Sequence, residues 1–262
     1  MIKAHAKVNL SLFVTGLRDD GFHEIRSIFV KIGLFDTIFL SPSYVQKITA
    51  SAGPQGKDNL VARVLEDRPY EVFIKKIIPI GSGLGGGSSD AAQLIKHFFN
   101  NTSVAFQKAL SIGSDVPFFL IDENAALVSG RGENLEPFNI EKPLYFVVYY
   151  PGFSFDTKEG YLKLAEKRLY IDEKEAENRI RLIKDILLSG EYGELRDLLF
   201  NSFELIHAES FIKEFKDLML KEGAIGALMT GSGSAVFGIF DRFPTELYTK
   251  YHDRFIFTTN LM

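Results

Sequence analysis

The 262-residue chain is 46% hydrophobic and 24% charged, the balance of an ordinary soluble globular protein long enough to bury a core in one large domain or two modest ones. It contains no cysteine, which excludes disulfides, thiolate metal sites and a cysteine nucleophile. A formal net charge of -4 and a pI near 5.8 argue against a broad nucleic-acid surface, although a pocket for a small phosphorylated ligand can be positive on an acidic protein.

Residues 1–10 lack the apolar core of a signal peptide. The strongest apolar runs, such as Leu144 to Tyr150, have the length of strands and are too short to span a bilayer. The expectation is a cytoplasmic protein with no membrane partner. From Val8 to Gly16 the pattern alternates, with Val8, Leu10, Leu12 and Val14 on one face of a strand and Asn9, Ser11, Phe13 and Thr15 on the other. Asp20-Gly21 marks a turn. Ile25 to Leu40 reads as two strand-like runs broken at Gly33, and Tyr70 to Ile78 alternates until Pro79. Asp90 to Phe99 carries helical spacing through Ala91, Leu94, Ile95 and Phe98. Pro117 to Ile121, Ala125 to Val128 and Leu144 to Tyr150 are predicted buried strands. Past Pro151 the character changes. Asp172 to Leu188, Glu191 to Phe200 and Glu209 to Glu222 are predicted amphipathic helices, followed by strands at Ala235 to Phe240 and Phe255 to Thr258. A domain boundary near Pro151, giving units 1–150 and 151–262, follows from that change.

The most informative stretch is Pro79, Ile80, Gly81, Ser82, Gly83, Leu84, Gly85, Gly86, Gly87, Ser88 and Ser89, standing between a strand and a helix. Glycines let a backbone approach a ligand closely, and peptide N–H groups feeding a helix N-terminus bind anions. Ser88 and Ser89 add hydroxyls that could cap the helix. The natural ligand is a polyphosphate; a tight turn is the plainer reading. Gly81, Gly83 and Gly86 satisfy G-x-G-x-x-G, the mark of a nicotinamide-dependent oxidoreductase, but Asn100 to Gly113 contains no acid where that fingerprint wants one. No Gly-Lys-Ser/Thr occurs, nor the protein-kinase triplets.

Three further segments specify the type: Ala6-Lys-Val-Asn-Leu10 with Gly21-Phe-His-Glu24, Gly113-Ser-Asp-Val-Pro-Phe-Phe119, and Thr230-Gly-Ser-Gly-Ser-Ala-Val-Phe237. Together with the glycine loop they resemble the 4-diphosphocytidyl-2-C-methyl-D-erythritol kinases, one branch of the GHMP kinases. The third segment and the loop are shared across the superfamily, so a homoserine or mevalonate kinase is the nearest confusion. The resemblance runs from residue 6 to residue 237. It implies an α+β, two-domain GHMP kinase fold, with a ribosomal S5 domain 2-like N-terminal domain, a ferredoxin-like C-terminal domain and the active site between them.

It also implies ATP-dependent phosphorylation of the 2-hydroxyl of a cytidine diphosphate sugar-alcohol in the non-mevalonate isoprenoid precursor pathway. Asp115 matches the general base. Its apolar neighbours Val116 to Phe119 would desolvate it and raise its pKa; from the sequence alone, a cap ahead of Pro117 is an equal reading. Lys7 matches the lysine that orients the base. A lysine within an apolar strand needs a counter-ion if buried, and faces water if it lies on an edge. Asn9 shares its face and matches a contact to the erythritol end, or is an edge asparagine. Phe22 and His23 match a Tyr-His pair that holds the cytosine; Phe22 keeps the stacking face without the hydroxyl, and His23 rests on the resemblance alone. Thr157 and Tyr161 sit one helical turn apart, with Tyr161 as a second cytosine face or a core aromatic. Asn59 resembles an asparagine near the adenine. Gly231 to Ser234 closes on the phosphate side or is a turn between strands. The helix after Asn59 and the segment Phe99 to Gly113 are shorter than is usual in the family. Mg2+ is expected with the ATP, held by phosphates and loop serines, because no protein carboxylate cluster is evident.

Overall fold

The computed structural model describes residues 1–207 and 209–261. In chain order the strands and α-helices are β1 (Ile2–Leu17), β2 (His23–Pro42), β3 (Lys47–Ala50), α1 (Leu60–Leu65), β4 (Tyr70–Lys75), α2 (Gly86–Phe98), α3 (Thr102–Ile112), β5 (Ala125–Gly130), β6 (Asn134–Phe138), β7 (Tyr145–Tyr149), α4 (Thr157–Glu166), α5 (Glu173–Ser189), α6 (Leu195–Leu198), α7 (Ser210–Lys221), β8 (Gly226–Met229), β9 (Val236–Phe240), α8 (Thr245–Tyr251) and β10 (Ile256–Thr259).

β2 is the spine of the first sheet. Its 20 residues form one strand, but the pairing with β1 steps from Phe35 to Ile32, so the expected break at Gly33 is a bulge of Gly33 and Leu34, and a Cβ on Gly33 would lie 2.9 Å from Thr258 Oγ1. The glycine admits β10 rather than ending a strand. β2 pairs antiparallel with β1 over nearly its whole length, with β4 through Thr37 to Pro42 and with β5 through Ile25 to Val30. Among the described strands of this sheet only β3 and β4 pair in parallel, so it is not the doubly wound parallel sheet of a dinucleotide-binding fold.

The second sheet has the order β10-β7-β9-β8, with every neighbouring pair antiparallel. Helices separate β7 from β8 and β9 from β10, which is the β-α-β-β-α-β arrangement of a ferredoxin-like unit. Its first strand, β7, precedes Pro151, so the second sheet takes up the chain before the change in character seen in the sequence.

From Ala6 to Val14 β1 is buried on both faces and does not keep one period. Ala6, Val8 and Leu10 pack with Phe146, Ile183 and Phe237, whereas Leu12 and Val14 join Ile25, Phe29 and Phe118 on the other side. The switch occurs where Asn9 pairs with Phe29 but Ser11 pairs with Ile28, leaving Leu10 as the extra residue of a bulge. Lys7 and Asn9 therefore share a face with Leu12 and Val14.

Pro117–Leu120 is a 3-10 turn, not a strand. Proline at its first position has no N–H to leave unpaired, and Pro117, Phe118 and Phe119 are buried. Glu191 to Phe200 divides into a 3-10 turn, Tyr192–Glu194, and the short α6. The two shortened segments are helices α1 and α3; Arg68 ends the first by donating to the carbonyls of Val64 and Leu65.

Phe118 is fully buried, edge-on to Phe29 at 5.3 Å. Phe118→Ala should lower the unfolding free energy by about 3–5 kcal/mol, read from the midpoint of a denaturant titration. A loss below about 1 kcal/mol would show that this ring does not hold the helices to the sheet.

Candidate active site

A cleft of about 890 Å³ opens between the glycine loop, the β1–β2 turn, α4 and the turn after β8. The sequence expectations converge on it. Lys7, Asn9, Phe22, His23, Asn59, residues 79–88, Asp115, Thr157 and Tyr161 all line it. Ser89 does not: it is fully buried and its hydroxyl has no partner.

The loop explains its glycines one by one. Gly83 has φ of +84°, and a Cβ would stand 2.3 Å from the Thr230 carbonyl oxygen. Gly85 has φ of +73° and is pressed between Phe119 and the Lys7 side chain, with 2.9 and 3.1 Å to a Cβ. That left-handed residue is the N-cap of α2, so the helix starts at Gly86 and the serines at 88 and 89 lie inside its first turns instead of capping it. No side chain caps this end, which leaves its first peptide N–H groups for an anion at the positive end of the helix dipole.

Lys7 lies on β1 with its side chain 3% exposed. Its ammonium stands 2.5 Å from Asn9 Oδ1, 3.2 Å from Asp115 Oδ2 and 4.5 Å from the centre of the Phe29 ring. The counter-ion demanded by burial is therefore Asp115. Asp115 itself keeps 34% of its side chain exposed, so it is partly covered while Val116, Pro117, Phe118 and Phe119 after it are buried. Asn9 is fixed further: its Nδ2 donates to Ser27 Oγ (3.2 Å) and its backbone N–H to Thr230 Oγ1 (3.0 Å).

The turn at 231–234 closes the same side. The Ala235 N–H donates to the Ser82 carbonyl (3.1 Å), and Thr157 Oγ1 lies 2.7 Å from Ser232 Oγ. Asn201, which the sequence reading missed, supports this turn by donating to the carbonyls of Met229 and Gly231 (2.6 and 2.9 Å).

Phe22 is 45% exposed and lies under the Arg131 guanidinium, 4.5 Å from its ring centre. It does not face Tyr161. The Tyr161 ring is instead stacked on His23 at 4.6 Å and edge-on to Phe203 at 4.9 Å. Burial lowers the His23 pKa, which favours the neutral imidazole. Burial first, and the Asp115 charge second, push the Tyr161 phenol up and keep it protonated. Asn59 spends its amide on structure: Oδ1 accepts from the Val61 N–H as the N-cap of α1, and Nδ2 donates to the Pro54 carbonyl, both at 3.0 Å. Sequence reasoning also missed Lys76, Asp36, Asp90 and Arg131. An aspartate inside the apolar run Ile32 to Leu40 was a signal that a buried partner must exist.

The chain is similar to known proteins along most of its length. Residues 55–121 match the GHMP kinases N terminal domain and residues 181–247 the GHMP kinases C terminal domain. The 4-diphosphocytidyl-2-C-methyl-D-erythritol kinase of Syntrophotalea carbinolica is 34% identical over 257 residues, covering 90% of this chain and 88% of that protein. The protein of the same name from Thermotoga maritima is 34% identical over 250 residues, covering 90% of each. A crystal structure of 4-(cytidine 5'-diphospho)-2C-methyl-D-erythritol kinase superposes with a TM-score of 0.77 at 32% identity, covering 99% of this chain and 98% of that one. The Methanococcus jannaschii mevalonate kinase shares the fold, with a TM-score of 0.73 at 15% identity, covering 100% of this chain and 98% of that one. This α+β, two-domain chain is an ATP-dependent small-molecule kinase and belongs to the 4-diphosphocytidyl-2-C-methyl-D-erythritol kinase family of the GHMP kinases.

Proposed function

We propose that this chain transfers the γ-phosphoryl group of ATP to the 2-hydroxyl of 4-diphosphocytidyl-2-C-methyl-D-erythritol, in the non-mevalonate route to isoprenoid precursors. The observation that carries the reading is the Lys7–Asp115 ion pair, 3.2 Å long, beside a glycine loop in one cleft. Phosphoryl transfer asks a protein mainly for alignment, neutralised charge and a proton acceptor. In this reading the loop N–H groups and the α2 dipole hold the phosphates. The acceptor oxygen bonds to the γ-phosphorus as the bond from that phosphorus to the β–γ bridging oxygen breaks, and ADP leaves. The hydroxyl proton passes to Asp115, whose exposed part faces the cleft. Lys7 holds that carboxylate in place and adds a positive charge beside the developing alkoxide. Asn9, locked by Ser27 and Thr230, presents its amide to the polyol end.

Among the described residues there is no group of three or more His, Asp or Glu that could hold a metal ion. Magnesium belongs to this scheme as part of the nucleotide substrate, with Ser88 as the loop hydroxyl nearest in role, since Ser82 Oγ already donates to the Pro79 carbonyl at 2.6 Å. The cytosine would be recognised by His23 and Tyr161, with Phe22 and Arg131 at the rim. To receive the base between aromatic faces, the His23–Tyr161 stack must open.

A coupled ADP-release assay with the cytidyl-methylerythritol compound, mevalonate, homoserine and galactose tests the substrate. Turnover with the first compound alone is expected; turnover confined to one of the others overturns the assignment and leaves the family membership intact. Lys7→Ala and Asp115→Asn should each cut kcat by about 100-fold or more while the ATP dissociation constant stays within about threefold. Normal turnover in either variant removes that residue from the chemistry. Tyr161→Ala should raise the acceptor KM about tenfold and leave the ATP KM unchanged, since base–aromatic stacking is worth ~1–3 kcal/mol. Gly83→Ala must displace the loop from Thr230, and should weaken ATP binding about tenfold or more in calorimetric titration.

A further inference from the structure

Beneath the phosphate loop three charged side chains are buried together. Lys76 follows β4, and its ammonium donates to Asp36 and to Asp90 Oδ2, the latter at 2.7 Å. The side chains are 9%, 0% and 2% exposed. Asp36, on β2, also accepts the backbone N–H groups of Ile77 and Ile78 through Oδ1, at 2.5 and 2.9 Å. Asp90 lies in the second turn of α2. One ammonium thus joins the chain that leads into the loop to the helix that leads out of it. The start of that helix is pressed onto the same carboxylate: a Cβ on Gly86 would lie 3.0 Å from Ile78 and 3.3 Å from Asp36 Oδ2.

Stability alone does not account for this arrangement. Two acids share one base, Asp90 Oδ1 has no hydrogen-bond partner, and burial pushes the Asp90 carboxyl up to about 7 in spite of Lys76. Buried ion clusters of this kind are commonly no more stable than apolar packing of the same volume. Lys76 and Asp90 also line the cleft.

We propose that Lys76 is a positioning residue for the nucleotide: by tying Asp36 to Asp90 it fixes the span between the two ends of loop 79–88 and keeps the loop's peptide N–H groups aimed at the phosphate chain. The inference rests on the reading that this loop binds ATP. Calorimetric titration of magnesium-ATP, with acceptor KM measured beside it, tests it on the whole protein. Lys76→Met should weaken ATP binding about tenfold or more, since small misplacements of binding groups are costly, while the acceptor KM stays within about twofold. Lys76→Arg, which keeps the charge, should recover most of the ATP affinity. Lys76→Met/Asp90→Asn removes one acid with the base and leaves Asp36 on its two amides, so it relieves the unpaired charge and should still weaken ATP binding. ATP affinity unchanged in a folded Lys76 variant, an equal rise in both constants, or failure of both methionine variants to fold would each overturn the proposal in favour of a purely structural ion cluster. Wild-type protein that does not bind ATP would instead sink the reading beneath it.

Discussion

The site is organised around one desolvated ammonium. A lysine head group taken out of water must find replacements for its hydration, and each replacement fixes a piece of structure. At Lys7 these are the Asn9 amide, the Asp115 carboxylate and the face of Phe29. Asn9 in turn brings in Ser27 on β2 and Thr230 beyond β8. Asp115 brings in the turn ahead of the buried Phe118 and Phe119. Burying this charge therefore recruits both sheets.

The second constraint is the closeness of the glycine loop to the other lobe. Gly83 rests on the Thr230 carbonyl and Ser82 accepts from Ala235, so the glycine loop and the 231–234 turn form one surface. The side of the cleft built from α4 and the β1–β2 turn is different in kind, because Thr157, Tyr161, Phe22 and His23 are held there by side-chain contacts. One half of the cleft is thus lined by closely packed backbone and the other by aromatic rings.

Much of this was legible in the sequence because its cause is local. Glycines that permit close approach, a lysine inside an apolar strand and an aspartate before Pro117 announce themselves by composition and spacing. What was not legible depended on partners distant in the chain. The bulge at Leu10 is set by pairing with β2, and from Ala6 to Val14 both faces of β1 are buried, so alternation could not reveal it. Pro117 to Ile121 is apolar enough for a strand, but its first residue lacks an N–H and its side chains fill a corner under α2. Gly33 interrupts the pairing with β1 without ending β2, and only β10 shows why it is small.

The bulge in β1 also bears on how such a chain can change over time. Side chains alternate with period two along a strand, so the count of residues between Lys7 and Leu12 decides which way the ammonium points. With the extra residue at Leu10, lysine and the Leu12–Val14 pair look toward Phe29; without it, one set or the other would be turned into the packing of Phe146 and Phe237. The apolar residues of this stretch can be exchanged for others of similar size, but its length is frozen, and a single-codon insertion or deletion there would be far less tolerable than such an exchange.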